Sequence, residues 1–190
     1  AEELETMDAP TVAKVLGQDA DHELMGLYAR ALRELGSFLD GRSALDAIAA
    51  ADGSAERLAE QVVEGMASFR DPGFYKRAQI LASDLALAGA AHFRDLDRLT
   101  IFADNLVPHV LRVDGVLHYE PSLAARIDRG ELLAAGEEER EIRGCAVEAC
   151  ELIAAAVAVP PRVLDAWLWN RGQHPRYKAL PRHRTRTTAY

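Results

Sequence analysis

The sequence predicts an all-α fold, and three observations support this prediction. Apolar residues recur every three or four positions along most of the 190 residues, the spacing that places them on one face of an α-helix. Capping residues, glycines and prolines separate these segments at short intervals. No segment alternates apolar and polar residues in the way of a half-buried β-strand. We therefore expect an all-α bundle with short connections, forming one domain over residues 1–190.

The first half of the chain is predicted to form five helices. Asp8 and Pro10 have the order of an N-cap and a first-turn proline. The tripeptide Asp71-Pro72-Gly73 is a clear break before the last of the five. In chain order, the predicted helices run from Asp8 to near Gly17, from about Asp21 to Leu39, from Ser43 through SALDAIAA, from the cap Ser54 onward, and from Phe74 to Ala90.

The second half is predicted to contain helices separated by prolines and glycines. Pro108 divides the segment LTIFADNLVPHVL, so one helix should end near Asn105 and another should begin around Pro108. Ser122 is predicted to cap a short helix. Gly136 precedes a long helix whose first turn is acidic, as the helix dipole favours. The pair Pro160-Pro161 ends that helix and opens the last one, RVLDAWLWNRG.

Composition and charge exclude several classes of protein. The net charge of −8 argues against binding a long polynucleotide, because neutralised phosphates supply most of that affinity. No apolar run approaches the ~20 residues that span a bilayer, and the acidic start AEELETMD lacks the order of a signal peptide. Cys145 and Cys150 are too few for a disulfide scaffold. These features predict a cytoplasmic protein that binds neither nucleic acid nor membrane directly.

Several residues are candidates for chemistry. Asp104 lies in an apolar stretch, where it is predicted to cap the following helix or to act as a functional carboxylate, and the two roles are compatible. Lys76 lies at the start of an apolar helix. It is either a surface lysine whose chain packs along the helix or a functional lysine. Asp165 and Trp169 share one helical face and could hold a flat base, unless Trp169 belongs to the core. Because neither a metal-ligand spacing nor a glycine-rich phosphate loop is present, we predict no metal and no cofactor.

Two charged segments allow further interpretation. Glu141 and Arg143 are interpreted as an ion network on a helix surface. The stretch from Arg171 to Tyr190 contains six basic residues and no acidic one. It is either a solvated tail or an anion-binding edge.

Five segments, in order and at similar spacing, resemble the queuosine salvage family. They are FYKRAQILASDL, LTIFADNLVPHVL, EIRGCAVEACELI, LDAWLWN and HRTRTTAY. The resemblance covers at least Phe74 to Tyr190 and implies an all-α fold similar to that of helix-hairpin-helix DNA glycosylases. It also implies hydrolysis of the N-glycosidic bond of queuosine 5′-monophosphate, which releases queuine for reuse in tRNA modification. The resemblance also implies an N-terminal segment ahead of the part that matches Ala1, which we expect to be missing from these 190 residues.

The resemblance implies a catalytic centre at one motif. Asp104 matches the catalytic aspartate of the family's FAD motif, and Phe102 and Ala103 match residues that line the queuine site. Cleavage of an N-glycoside develops positive charge at the anomeric carbon, as in glycosidases. A carboxylate there either stabilises that charge or forms a short-lived covalent ester.

The resemblance also implies a binding site for the base and the phosphate. Asp165 matches an aspartate that contacts the base, and Trp169 and Asn170 complete this predicted site. Family members often have aspartate where Asn170 stands. Lys76 matches the lysine of the KRAQI motif, and either Lys76 or an arginine of the terminal HRTR is expected to bind the phosphate.

Two other functions remain open at this point. One is a non-catalytic helical module that binds queuine or a related base. The other is a DNA-glycosylase-like enzyme, suggested by analogy of fold alone. Such an enzyme needs a basic face and a wedge to extrude a base, which the charge of −8 disfavours.

Overall fold

The computed structural model describes residues 2–190, which are mainly helical. The chain divides into two compact units, the first ending at Asp95 and the second running Leu96–Tyr190. The predicted all-α class is confirmed. A single domain, and the likeness to helix-hairpin-helix DNA glycosylases, stay predictions. No helix within residues 2–190 combines the length and the apolar character needed to cross a membrane.

The first unit is built from helices that begin where the sequence predicts caps. In its described residues the α-helices are α1 (Glu2–Glu5), α2 (Ala9–Leu16), α3 (Glu23–Leu39), α4 (Ala44–Ala50), α5 (Ala55–Gly65) and α6 (Lys76–Leu87), with a 3₁₀ turn at Ala67–Phe69. The Asp8 carboxylate accepts a hydrogen bond from the backbone N–H of Thr11 at 2.9 Å. Ser54 caps α5 in the same way, and Ser43 forms a capping box with Asp46.

Helix α6 is shorter than predicted. It begins at Lys76 rather than Phe74, because Tyr75 lies in the left-handed region with φ 49° and cannot extend the helix backwards. The Asp71 carboxylate accepts a hydrogen bond from the backbone N–H of Lys76 at 3.3 Å. The helix ends at Leu87, three residues before the predicted end at Ala90. The break at Asp71 therefore also sets the start of α6.

The apolar faces of α2, α3, α5 and α6 form the interior of the first unit. One buried cluster joins α2 to α3 through Val12, Ala13, Met25 and Ala29. These helices also leave a cavity of about 630 Å³, which we call the apolar cavity. Its lining is aliphatic, aromatic or methionine throughout, with Leu39 and Leu58 among the buried members.

The second unit contains the longest helix and a minimal strand pair. In chain order it has a 3₁₀ turn at Leu96–Arg98, then α7 (Val107–Val113), α8 (Pro121–Asp128), β1 (Leu132–Leu133), α9 (Glu137–Val157), α10 (Pro161–Gly172), α11 (Pro175–Lys178) and β2 (Arg184–Thr185). Strands β1 and β2 pair in parallel, with Leu132 opposite Arg184. The terminal stretch is thus tied to the rest of the unit. Helix α7 is the most buried element and packs against α9 and α10.

Two predictions about the second unit are wrong. The helix expected to end near Asn105 does not form, and residues 99–104 are irregular. Ser122 does not cap α8. Glu120 does so, because its carboxylate accepts hydrogen bonds from the backbone N–H groups of Ser122 and Leu123 at 2.8 and 3.3 Å. The predicted starts at Gly136 and Pro161 are confirmed.

Glycine is required where α10 approaches the start of α7. A Cβ atom added at Gly172 would lie 2.8 Å from Cδ1 of Leu106 and 3.0 Å from Cγ2 of Val110. Leu106 and Val110 are themselves buried. The absence of a side chain at position 172 therefore sets the distance between the two helices.

Candidate active site

The segment Leu99–Asp104 crosses the interior of the second unit without regular structure, and side chains of two helices hold its backbone. Asp165 on α10 accepts a hydrogen bond from the backbone N–H of Phe102 at 2.8 Å. Arg143 on α9 donates through Nε to the backbone carbonyl of Ala103 at 2.9 Å. These bonds take up backbone groups that a helix would have used internally. They account for the missing helix and fix the peptide next to Asp104.

Arg143 belongs to a buried ion pair. Its guanidinium lies 3.3 Å from a carboxylate oxygen of Glu139, and the side chains of Arg143 and Glu139 are only 2% and 7% exposed. The prediction of a surface network between Glu141 and Arg143 is therefore wrong, and only Glu141 is exposed. The spacing of Glu139 and Arg143, four residues apart, was the signal for the true pair.

The terminal stretch covers the same guanidinium. The Tyr190 ring centre lies 4.9 Å from Cζ of Arg143, in the arrangement of a cation–π contact. Nearby, His183 is 1% exposed, and neither ring nitrogen has a hydrogen-bond partner within residues 2–190. Burial, followed by the charge of Arg143, lowers the pKa of His183 to about 4. His183 is thus neutral at physiological pH.

Asp104 is held at the start of α7. Its Oδ1 accepts hydrogen bonds from the backbone N–H groups of Leu106 and Val107 at 2.7 and 3.1 Å. Asp104 thus accepts from N–H groups at the start of α7, as the cap interpretation predicts, but the N-cap residue itself is Leu106, which makes no side-chain capping bond. Its Oδ2 makes no hydrogen bond within the described residues, and the side chain is half-buried. A carboxylate fixed through one oxygen keeps the other for a ligand.

Asp104 lies on a cavity of about 580 Å³, which we call the polar cavity. Trp169 lines it from α10, and His109 lines it from α7. Lys178 and Arg182 line it from the terminal stretch. This volume is in the range of small-molecule sites. The cavity thus combines a carboxylate, an indole, an imidazole and two cations.

Two members of this lining bear on the sequence predictions. Trp169 is 47% exposed, so the alternative that places it in the core is wrong and its ring is available for stacking. His109 was not singled out by the sequence, where it is one polar residue in an apolar helix. It is 3% exposed, and its Nε2 is 2.8 Å from the backbone carbonyl of Tyr177. Because a carbonyl oxygen can only accept, Nε2–H is the donor in this bond, and burial lowers the pKa of His109.

The other predicted site residues have different surroundings. Asp165 is 6% exposed and is not part of the lining of the polar cavity. Ala103 is buried and Phe102 is half-buried beside it. Asn170 is exposed, and its side-chain amide donates to the carbonyl of Ala166 at 2.8 Å.

The residues predicted to bind the phosphate do not lie on the polar cavity. Lys76 is half-buried at the start of α6 in the first unit. Within HRTR, Arg184 donates to the carbonyl of Gly130 at 2.7 Å, and neither Arg184 nor Arg186 lines the polar cavity. Across residues 2–190, no three histidine, cysteine or acidic side chains converge as metal ligands.

Comparison with known proteins identifies the family to which the chain is similar. A sequence model of the family described as queuosine salvage protein matches residues 1–190. Among similar proteins, the queuosine 5′-phosphate N-glycosylase/hydrolase of Sphaerobacter thermophilus is 42% identical over 94% of this chain and 62% of its own length. The mouse and bovine proteins of the same name are each 34% identical, over 88% and 97% of this chain and 58% and 64% of their own lengths. The chain spans about three-fifths of the length of these relatives.

Proposed function

Because this chain belongs to the queuosine salvage protein family, we propose that it hydrolyses the N-glycosidic bond of queuosine 5′-monophosphate and releases queuine for tRNA modification. One observation carries the proposal. Asp104, the residue matched to the family's catalytic aspartate, is fixed through Oδ1 on a cavity that also presents the exposed ring of Trp169. The names of the relatives support the same reaction.

The proposed reaction uses the unbonded oxygen of Asp104. As the glycosidic bond breaks, positive charge develops at the anomeric carbon of the ribose. The carboxylate either stabilises this charge until water attacks or forms an ester that water then hydrolyses. In both routes the hydroxyl of the water joins the anomeric carbon and its proton ends on the base, which gives ribose 5-phosphate and queuine. The apolar neighbours of Asp104 strengthen its effect, because a charge acts more strongly where the local dielectric is low.

The base is proposed to stack on Trp169. Queuine is a 7-deazaguanine with carbon in place of N7, so protonation at that position is not available to help it leave. Phe102, Ala103 and Asn170 stay proposed residues of the base site. Asp165 fixes the N–H of Phe102, so it positions the segment that carries Asp104. Its direct contact with the base stays a prediction.

The proposed partners are small molecules, the nucleotide and its product queuine. A chain of net charge −8 suits a free mononucleotide better than a polymer. Lys76 stays a predicted substrate-binding residue. Cys145 and Cys150 are free thiols, in keeping with the predicted cytoplasmic location.

The test is direct. The purified chain is incubated with queuosine 5′-monophosphate, and free queuine is measured by chromatography with mass detection. We expect Asp104→Asn to reduce turnover by about 10²–10³-fold or more. The fold should persist, because the asparagine oxygen still accepts the two backbone bonds.

The matched control is Asp128→Asn, which removes an exposed carboxylate paired with Arg112 and should leave turnover unchanged. No queuine from the unaltered chain, or an Asp104→Asn variant as fast as that chain, would refute the proposal. Binding of queuine without any product would support the non-catalytic module instead.

A further inference from the structure

We propose that Lys178 and Arg182 form the subsite that binds the 5′-phosphate of the nucleotide. The proposal deepens the function proposed above and rests on it. It places the phosphate at two residues outside the motifs that suggested a phosphate contact, and on the same cavity as Asp104.

The two cations are close to the other groups that a nucleotide needs. Lys178 is the last residue of α11, and Arg182 lies between α11 and β2. Both line the polar cavity together with Asp104 and Trp169. A nucleoside monophosphate offers a flat base, an anomeric carbon and a dianion. The cavity offers an indole, a carboxylate and two cations.

The positive charges of Lys178 and Arg182 are not used elsewhere in the described structure. Most of the neighbouring cations are occupied: Arg171 and Arg176 pair with Asp114, and Arg184 donates to the carbonyl of Gly130. Within residues 2–190, the head groups of Lys178 and Arg182 have neither a hydrogen bond nor an ion pair. Both side chains belong to exposed residues, so a ligand can reach them.

The electrostatics of the cavity favour an anion. Asp104 is the one acidic residue among the described residues of the lining, against the two cations. The charge of Arg182 also acts on the cavity wall, because it adds to the effect of burial in lowering the pKa of His109. A guanidinium binds phosphate through two parallel N–H donors, and an ammonium adds a point charge.

The first test compares queuosine 5′-monophosphate with queuosine, the nucleoside that lacks the phosphate. For the double variant Lys178→Gln with Arg182→Gln, we expect the ratio of kcat/KM for nucleotide over nucleoside to fall by about 10²-fold, since each charge-assisted bond contributes about tenfold or more. The fall in kcat/KM for the nucleotide should come mainly from a higher KM. An equal fall in kcat/KM for both substrates, or no fall for either, would overturn the proposal.

Arg176→Gln is the matched control. It removes one positive charge from α11, the helix that carries Lys178, but Arg176 faces Asp114 and does not line the cavity. We expect its nucleotide-to-nucleoside ratio to equal that of the unaltered chain. A fall as large as that of the double variant would mean that general charge, rather than a subsite, is responsible, and would overturn the proposal.

A second probe separates this proposal from the hydrolysis itself. Ribose 5-phosphate is titrated into the chain by calorimetry at millimolar concentrations, with ribose as the uncharged control, and no bond is broken. We expect saturable binding that weakens at least about tenfold in the double variant. Absence of binding to the unaltered chain would overturn the subsite even if queuine is released. Binding lost in Lys76→Gln but kept in the double variant would assign the phosphate to Lys76 instead.

Discussion

The two units contain cavities of similar volume and opposite chemistry. The apolar cavity of the first unit measures about 630 Å³, and the polar cavity of the second about 580 Å³. The first is lined by hydrocarbon, aromatic and methionine side chains, whereas the second has a carboxylate, an imidazole, an indole and two cations. Volume therefore does not identify the candidate active site. What identifies it is the convergence of polar groups that can orient and cleave a ligand.

The units also differ in what holds them together. In the first, amphipathic helices bury apolar faces, and serine side chains cap the starts of α4 and α5. In the second, a buried ion pair and a buried aspartate hold an irregular segment. We expect substitutions in the apolar interior of the first unit to change stability alone. Substitutions among the groups that hold the segment Leu99–Asp104 should change stability and turnover together.

Replacing Arg143 with Met should have the largest effect on stability. It leaves Glu139 buried without its partner and the Ala103 carbonyl without its donor, so the free energy of unfolding should fall by about 3–5 kcal/mol. Denaturant unfolding measures this change. The control is the double variant Arg143→Met with Glu139→Leu, which should regain much of the stability but not the turnover. Recovery of both would contradict the assignment of Arg143 to positioning.

Acid should destabilise the second unit through His183. Because burial lowers its pKa from 6.5 to about 4, the unfolded chain takes up a proton over this interval that the folded chain does not. The free energy of unfolding should therefore fall as the pH decreases from 6.5 to about 4, by roughly 3 kcal/mol in total from this residue. His183→Phe should remove that part of the pH dependence. Identical pH profiles for the variant and the unaltered chain would contradict the buried, neutral state.

Leu58→Ala tests the first unit. Leu58 is 2% exposed but already borders the apolar cavity. The free energy of unfolding should therefore fall by about 2–3 kcal/mol, near the lower end for buried leucine-to-alanine substitutions. Turnover per folded molecule should not change. The matched variant is Leu111→Ala, in α7, the helix whose first N–H groups bond to Asp104, and it should lower stability and turnover alike. If Leu58→Ala reduces turnover as much as Leu111→Ala does, the contrast between the units fails.

Asp165→Asn should have the smallest effect. Asparagine keeps an oxygen that can accept from the N–H of Phe102 but loses the charge that strengthens this bond, a change of about 1 kcal/mol. We expect kcat to fall a few-fold with the affinity for queuine unchanged by calorimetry. Asp165→Ala should lower kcat much further. A weakened affinity for queuine would instead support direct contact between Asp165 and the base.

Much of the fold could be predicted because helix starts are local. The caps Asp8, Ser43 and Ser54 act on N–H groups within three residues, so the sequence contains both partners of each bond. The segment Leu99–Asp104 could not be predicted in this way. Its partners Arg143 and Asp165 are 40 and 63 residues distant along the chain, and their bonds override the local pattern.

The residues of the candidate site likewise fall into those that the local sequence predicts and those that depend on tertiary packing. Asp104 could be identified from its motif and from its place before a helix. The convergence of His109, Lys178 and Arg182 on its cavity depends on how the terminal stretch packs against α7. No local pattern encodes that packing.

Three contacts on one face of helix α10 limit which substitutions the candidate site can accept. Asp165 holds the Phe102 backbone, Trp169 lines the polar cavity, and Gly172 abuts Leu106, at successive intervals of four and three residues along one helix face. A rigid helix moves these contacts together. Sequence changes along this face should therefore show strong epistasis, because a substitution tolerated at one position alters the geometry that the other two require.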